Sequence, residues 1–319
     1  MYKEKTIGVV VPAYNEKRLI VATLASIPTY VDTIYAIDDA STDGTGDLID
    51  NFKTEDARIV LIRHETNSGV GATIVTGYKK AVEDEMDIVA VMAGDNQMDP
   101  EQLPHLLDPI IEGRVDYTKG NRLLNVEYRI GMSKWRFIGN SLLTGLTKIG
   151  SGYWQLMDPQ NGYTAISKTA LNRIQLDAIF PWYGYCNDLL VRLNVNGFRM
   201  RDVVMPAKYG DENSGIKYKT YIPKVSWMLL KNFFWRLKMK YVVLSFHPLV
   251  FFYTLGIVLA PLGILAGLFA LYYHYAMGVP LFIRGVLSFI LFITGIQFLL
   301  FAMLFDMQVD ERESINGKK

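Results

Sequence analysis

Carboxylates and amides able to hold a polar ligand stand in three short clusters. Tyr14, Asn15 and Glu16 close the first apolar run, Asp38 and Asp39 close the second, and Asp95 with Gln97 closes the fourth. Carboxylates gathered without a counter-charge repel one another, and a hard divalent cation with hydroxyl-rich ligands removes that repulsion. Any one cluster alone reads as ordinary turn or helix-cap chemistry, and Asp43-Gly44 is best read so. A dinucleotide site would need Gly-x-Gly-x-x-Gly behind the first strand. The chain instead has Pro12-Ala-Tyr-Asn-Glu16 there, and Gly69-Val-Gly71 reads as a turn into a helix.

Composition narrows the chemistry. Among 319 residues there is one cysteine, Cys186, which excludes a disulfide framework and a thiolate zinc site. Four scattered histidines make no His-rich metal centre. Lys and Arg number 33 against 32 acids, a balance that argues against a dedicated nucleic-acid binder.

The elements that must position the clusters alternate strand and helix. Ile7–Pro12, Thr33–Ile37, Ile59–Ile62 and Ile88–Met92 read as buried strands. Glu16–Ile27, Gly71–Glu83 and Pro100–Glu112 read as the helices between and after them, the last with proline in its first turn. Such alternation predicts an α/β fold with a mostly parallel sheet, whose ligands sit beyond the carboxyl ends of the strands. The three polar clusters all fall there.

Charge is partitioned along the chain. Residues 1–212 hold 22 basic and 28 acidic side chains, residues 213–240 hold seven basic and none acidic, and residues 241–305 carry only Arg284. Roughly 20 apolar residues cross a bilayer core as a helix. Pro248–Leu271 and Phe282–Phe305 each reach that length, with Tyr272–Pro280 as the turn between them. The expected organisation is therefore a soluble domain over 1–212, a basic amphipathic interfacial segment over 213–246, a two-span transmembrane hairpin over 247–306 and a tail over 307–319. Lys217, Lys224, Lys231 and Lys238 recur every seven residues, one stripe of a helix expected to start after Pro223. The basic collar predicts a cytoplasmic catalytic domain by the positive-inside bias. Ile7–Ala13 is too short and too soon followed by polar residues for a signal peptide.

Val11-Pro-Ala-Tyr-Asn-Glu16, Asp38-Asp39-Ala-Ser-Thr-Asp-Gly44 and Gly94-Asp95-Asn-Gln97 with Asp99-Pro100 resemble the inverting family 2 glycosyltransferases. With the two spans they resemble the polyprenyl-phosphate group around dolichol-phosphate mannose synthase. The resemblance covers about residues 5–240. It implies a GT-A fold, a UDP- or GDP-linked nucleotide sugar as donor, a divalent cation (Mg2+ or Mn2+), and a dolichyl or undecaprenyl phosphate lipid as acceptor at the membrane. A homo-oligomer is compatible with it.

On that resemblance Pro12, Ala13, Tyr14, Glu16, Asp38, Asp39, Ala93, Gly94 and Asp95 hold the nucleotide sugar, and Asp95 and Gln97 meet the metal. Arg122, Arg136, Asn140 and Lys217 meet the acceptor phosphate, with Asp95, Arg122 and Arg136 as the catalytic set. Asp158-Pro-Gln-Asn-Gly162 corresponds to the acceptor-side loop. Ala93 departs from the family pattern by replacing the first aspartate of Asp-x-Asp. Transfer to a diacylglycerol or a polysaccharide, and a non-catalytic nucleotide-binding scaffold, are the alternatives left by the sequence.

Overall fold

The computed structural model describes residues 1–123, 134–206 and 218–316, with the side chains of 134–138, 140, 218–220 and 313–316 outside that description. Two compact units emerge, Met1–Phe233 and Phe234–Ile315.

The first unit is built on a seven-stranded sheet. Its strands are β1 (Ile7–Ala13), β2 (Thr33–Asp38), β3 (Ile59–Arg63), β4 (Ile88–Val91), β5 (Tyr117–Asn121), β6 (Thr164–Ser167) and β7 (Met200–Val204). Their order is β3-β2-β1-β4-β6-β5-β7. Only β6 runs against its neighbours β4 and β5; the other pairings are parallel. Every residue of β1 is buried, as an apolar run at the centre of a covered sheet requires.

The pleat sends alternate β1 residues to two cores. Val9 and Val11 join one, beneath α1 (Ile20–Ser26), α2 (Thr45–Phe52) and α4 (Leu103–Ile111). Val10 joins the other, beneath α3 (Val70–Glu83), α6 (Lys168–Arg173) and α7 (Tyr185–Val195). α1 begins four residues after Glu16 because that stretch is spent on a turn, in which the Glu16 carbonyl accepts the amides of Leu19 and Ile20.

Close approach of α3 to β1 depends on Gly77. A Cβ there would lie 2.4 and 2.7 Å from the two γ-carbons of Val10, a β-branched side chain with no rotamer to retreat into. Gly77→Ala gains about 1 kcal/mol of helix propensity, and overpacking costs about 1–3 kcal/mol. A net fall in thermal stability of the full chain is the expected result. α5 (Lys134–Ser151) supplies the control: a Cβ on Gly145 meets nothing within 4 Å, so Gly145→Ala should leave the melting temperature unchanged or raised.

α8 (Tyr218–Lys238) starts before Pro223, not after it as the sequence suggested. Pro223 is the sixth residue of the helix, so its missing N–H forfeits a single bond, to the carbonyl of Lys219. Val225, Met228 and Leu229 of α8 bury themselves against Leu143 of α5.

The second unit contains α9 (Leu249–Met277) and α10 (Phe282–Asn316), both long and apolar enough to cross a bilayer. Phe251, Leu255, Val258, Leu262, Leu265 and Phe269 of α9 face outward, a surface that suits lipid. The two helices meet along a seam of small residues. A Cβ on Gly263 would lie 2.4 Å from the Phe292 backbone nitrogen, and one on Gly295 2.3 Å from that of Ala260. At one end of the seam Arg236 and Asp306, both fully buried, form a two-pronged ion pair at 2.9 and 2.8 Å, and the Tyr241 hydroxyl donates to the same carboxylate at 2.5 Å.

Candidate active site

β1 lies between β2 and β4, so the loops leaving these three strands converge at one sheet edge. They are stitched together locally. The Asn15 amide donates to Ser41 Oγ at 2.9 Å and the Thr42 amide to Asn15 Oδ1 at 2.9 Å, with Asn15 in the left-handed region at φ 57°. The Gly94 amide donates to the Pro12 carbonyl at 3.1 Å. Asp43 serves as the turn residue expected of it, accepting from the Lys17 amide at 3.0 Å and the Thr45 hydroxyl at 2.6 Å.

The convergence leaves a cavity of about 300 Å³. Pro12, Ala13, Tyr14, Glu16, Asp39, Ala93, Gly94 and Asp95 all line it. Asp38 does not: it is buried on the other face, accepting from the Ser41 amide at 3.1 Å, with a carboxylate oxygen where a Cβ on Gly46 would stand. Adjacent residues at a strand end point to opposite faces, so only one of the two aspartates can turn toward the cleft. The described side-chain contacts of Asp38 are with its own loop and with α2.

Asp39 organises the wall it belongs to. Its Oδ1 takes the Ser68 amide at 2.9 Å and faces His64 Nδ1 at 2.7 Å, while Oδ2 takes the Gly69 amide at 2.9 Å. This fixes the connection into α3, which adds Asn67, Gly69, Val70 and Thr73 to the cleft. Trp182 and Tyr183, between α6 and α7, complete the lining. None of these six is a site residue in the sequence reading, where Gly69 figures only as part of a turn. The Gly69-x-Gly71 pair was the available signal, but a turn explained it equally well.

Asp95 is partly buried, and burial pushes its carboxyl above the usual carboxylate range. The Gln97 amide donates to its Oδ1 at 3.1 Å. Among the described residues no cation pairs with Asp95 and no three acidic, histidine or cysteine side chains gather as a metal cage. One desolvated carboxylate facing a cleft suits a hard cation that takes its remaining oxygens from a ligand's phosphates, the usual way Mg2+ is bound.

The acceptor assignments fare differently. Arg122 grips buried Asp158, Nε donating to Oδ2 at 2.9 Å and the backbone amide to the same oxygen at 3.2 Å. Fully buried Lys119 stands 3.2 Å from Asp202 Oδ1 and donates to the Asp158 carbonyl. Burial alone would raise the Asp158 carboxyl, but Arg122 and Lys119 outweigh it and hold it below the usual range. Two cations thus meet two anions in a compensated cluster. Arg136 and Asn140 belong to α5, but their side chains, like Lys217, lie outside the described residues.

A mostly parallel α/β sheet with a polar cleft at the carboxyl ends of its strands, one carboxylate held ready on the loop after β4, defines a GT-A domain. The sequence profile of Glycosyl transferase family 2 matches residues 8–175, and the chain belongs to that family; it is a glycosyltransferase. It is 28% identical over 219 residues to a UDP-N-acetylglucosamine–dolichyl-phosphate N-acetylglucosaminyltransferase of Methanococcus voltae, covering 65% of this chain and 87% of that one. It is 30% identical to an undecaprenyl-phosphate mannosyltransferase of Micrococcus luteus, covering 61% and 80%. Glucosyl-3-phosphoglycerate synthase from Mycobacterium tuberculosis, solved with Mn2+, uridine-diphosphate-glucose and phosphoglyceric acid, shares the fold with a TM-score of 0.52. That match is 19% identical over 74% of this chain and 81% of that chain.

Proposed function

We propose that the protein transfers a sugar from a nucleotide sugar to a polyprenyl phosphate at the cytoplasmic face of a membrane, inverting the anomeric carbon. The observation that carries the reading is the cleft itself, lined by the Asp39 and Asp95 loops in a chain that ends in two span-length helices. Relatives named for dolichyl-phosphate and undecaprenyl-phosphate transfer support it.

The chemistry asks for positioning more than for proton transfer, because a lipid phosphate already presents a nucleophilic oxygen at neutral pH. The obstacle is charge: two doubly charged groups about 6 Å apart repel by roughly 11 kcal/mol at an effective dielectric of about 20. Asp95 would hold a divalent cation, which when bound neutralises the leaving diphosphate. Pro12, Ala13, Tyr14, Glu16 and Asp39, which share one wall of the cleft at the ends of β1 and β2, hold and orient the nucleoside. Arg122 takes the acceptor phosphate by sharing a guanidinium already aligned by Asp158. Arg136, Asn140 and Lys217 complete that acceptor side in the family pattern.

The test is transfer by the detergent-solubilised full chain from UDP- and GDP-linked sugars to a short polyprenyl phosphate, read by product mass. The expected product is one lipid phosphate plus one sugar, with nucleoside diphosphate released only when the lipid phosphate is present. Release that ignores the lipid phosphate, or product formed on diacylglycerol instead, would overturn the assignment.

A further inference from the structure

Trp182 and Tyr183 line the cleft yet leave 49% and 50% of their surface to water. An indole beside a phenol is a large apolar surface to leave uncovered at a polar cavity, and it invites a ligand with a flat face. The connection carrying them is firmly placed. The Phe180 amide donates to Asp188 at 2.9 Å, the Pro181 carbonyl accepts from the Ala72 amide at 3.0 Å, and the Trp182 carbonyl accepts from the Tyr185 amide at 3.1 Å. Asp188 is buried and held in turn by Arg192 at 2.9 Å and Asn232 at 2.6 Å.

Two glycines make the approach feasible. A Cβ on Gly69 would lie 2.7 Å from Trp182 Cε3, and one on Gly71 would lie 2.2 Å from the Phe180 carbonyl oxygen. Gly69 also sits at φ 91°, a conformation other residues rarely adopt. The aromatic pair is therefore fixed by backbone hydrogen bonds and by missing side chains opposite it, before any ligand arrives.

Position divides the pair. Trp182 packs on Gly69, whose amide is bonded to Asp39 at the β2 side of the cleft. Tyr183 lines the same cavity as Glu16 and Asp95. We propose that Trp182 and Tyr183 are donor-recognition residues: Trp182 stacks on the nucleoside held at the Asp39 side, and Tyr183 covers the diphosphate-sugar end beside Asp95. The assignment rests on the nucleotide-sugar reading above. Every base has a π face, so this wall supplies affinity without choosing between uracil and guanine.

Calorimetric titration of the detergent-solubilised full chain with UDP and GDP, and with the matching nucleoside monophosphates, tests it. Trp182→Ala should weaken the preferred diphosphate by about tenfold to a hundredfold, and the monophosphate by the same factor, because the stack involves the base. Trp182→Phe, which keeps a ring, should stay within about threefold of wild type. Tyr183→Ala should raise KM for the intact nucleotide sugar by a larger factor than it changes monophosphate binding. Unchanged binding in Trp182→Ala, or an equal loss in Trp182→Phe, overturns the stacking assignment while the nucleotide-sugar reading stands. Wild-type protein that binds neither UDP nor GDP overturns that reading itself.

Discussion

Asp95→Asn is expected to lower turnover by at least about a hundredfold without loss of melting temperature. The carboxylate is the charged group of the β4 loop that faces the cleft, and an amide of the same shape is a neutral, weaker ligand for a hard cation. The fold has no need of the charge. Burial holds this carboxyl above its ordinary pKa, so ionised Asp95 opposes folding; its contribution is most favourable when protonated and is lost as pH rises through the raised value. At neutral pH the asparagine variant should therefore melt no lower than wild type. Initial rates, beside thermal melts of both proteins, read both effects. Turnover within tenfold of wild type would remove Asp95 from the reaction.

The largest effect on stability should come from Asp306. Its carboxylate takes both prongs of the Arg236 guanidinium and the Tyr241 hydroxyl, and both charged partners are buried. Asp306→Leu removes both prongs of the ion pair from buried Arg236, which costs about 3–5 kcal/mol. Arg236→Met should cost a similar amount by taking the same two bonds from the buried carboxylate. The combination Arg236→Met with Asp306→Leu removes both partners together, so the double variant should be more stable than either single one and close to wild type. Thermal unfolding in detergent of all four proteins closes the cycle. Additive losses in the double variant would show that the two side chains act independently.

What the sequence revealed follows from which signals are local. The buried run Ile7–Ala13 announces a central strand without help, and the stretch from Tyr241 to Phe305 with a single charge announces its helices. The Asp39 and Asp95 loops were legible because parallel sheets place ligands after their strands, so position along the chain already implies position in space. Asp38 and Asp39 look alike in sequence until the pleat assigns them to opposite faces, which leaves Asp39 in the cleft lining. Arg122 reads as an open phosphate ligand until the fold brings Asp158 to it from 36 residues away. Trp182 and Tyr183 reach the cleft from over 80 residues beyond Asp95, through backbone hydrogen bonds and two glycines that carry no pattern of their own.

The seam of α9 and α10 also makes α10 a phased helix. Gly295 must face Ala260, and Asp306, eleven residues on, must face Arg236. Eleven residues make about three turns, so both obligations fall on one side of the cylinder. Inserting one residue between them would swing Asp306 by about 100° and carry its charge toward the lipid, whereas inserting seven would return it to within about 20°. Along that stretch the chain can drift in composition, one apolar side chain for another, but scarcely in length.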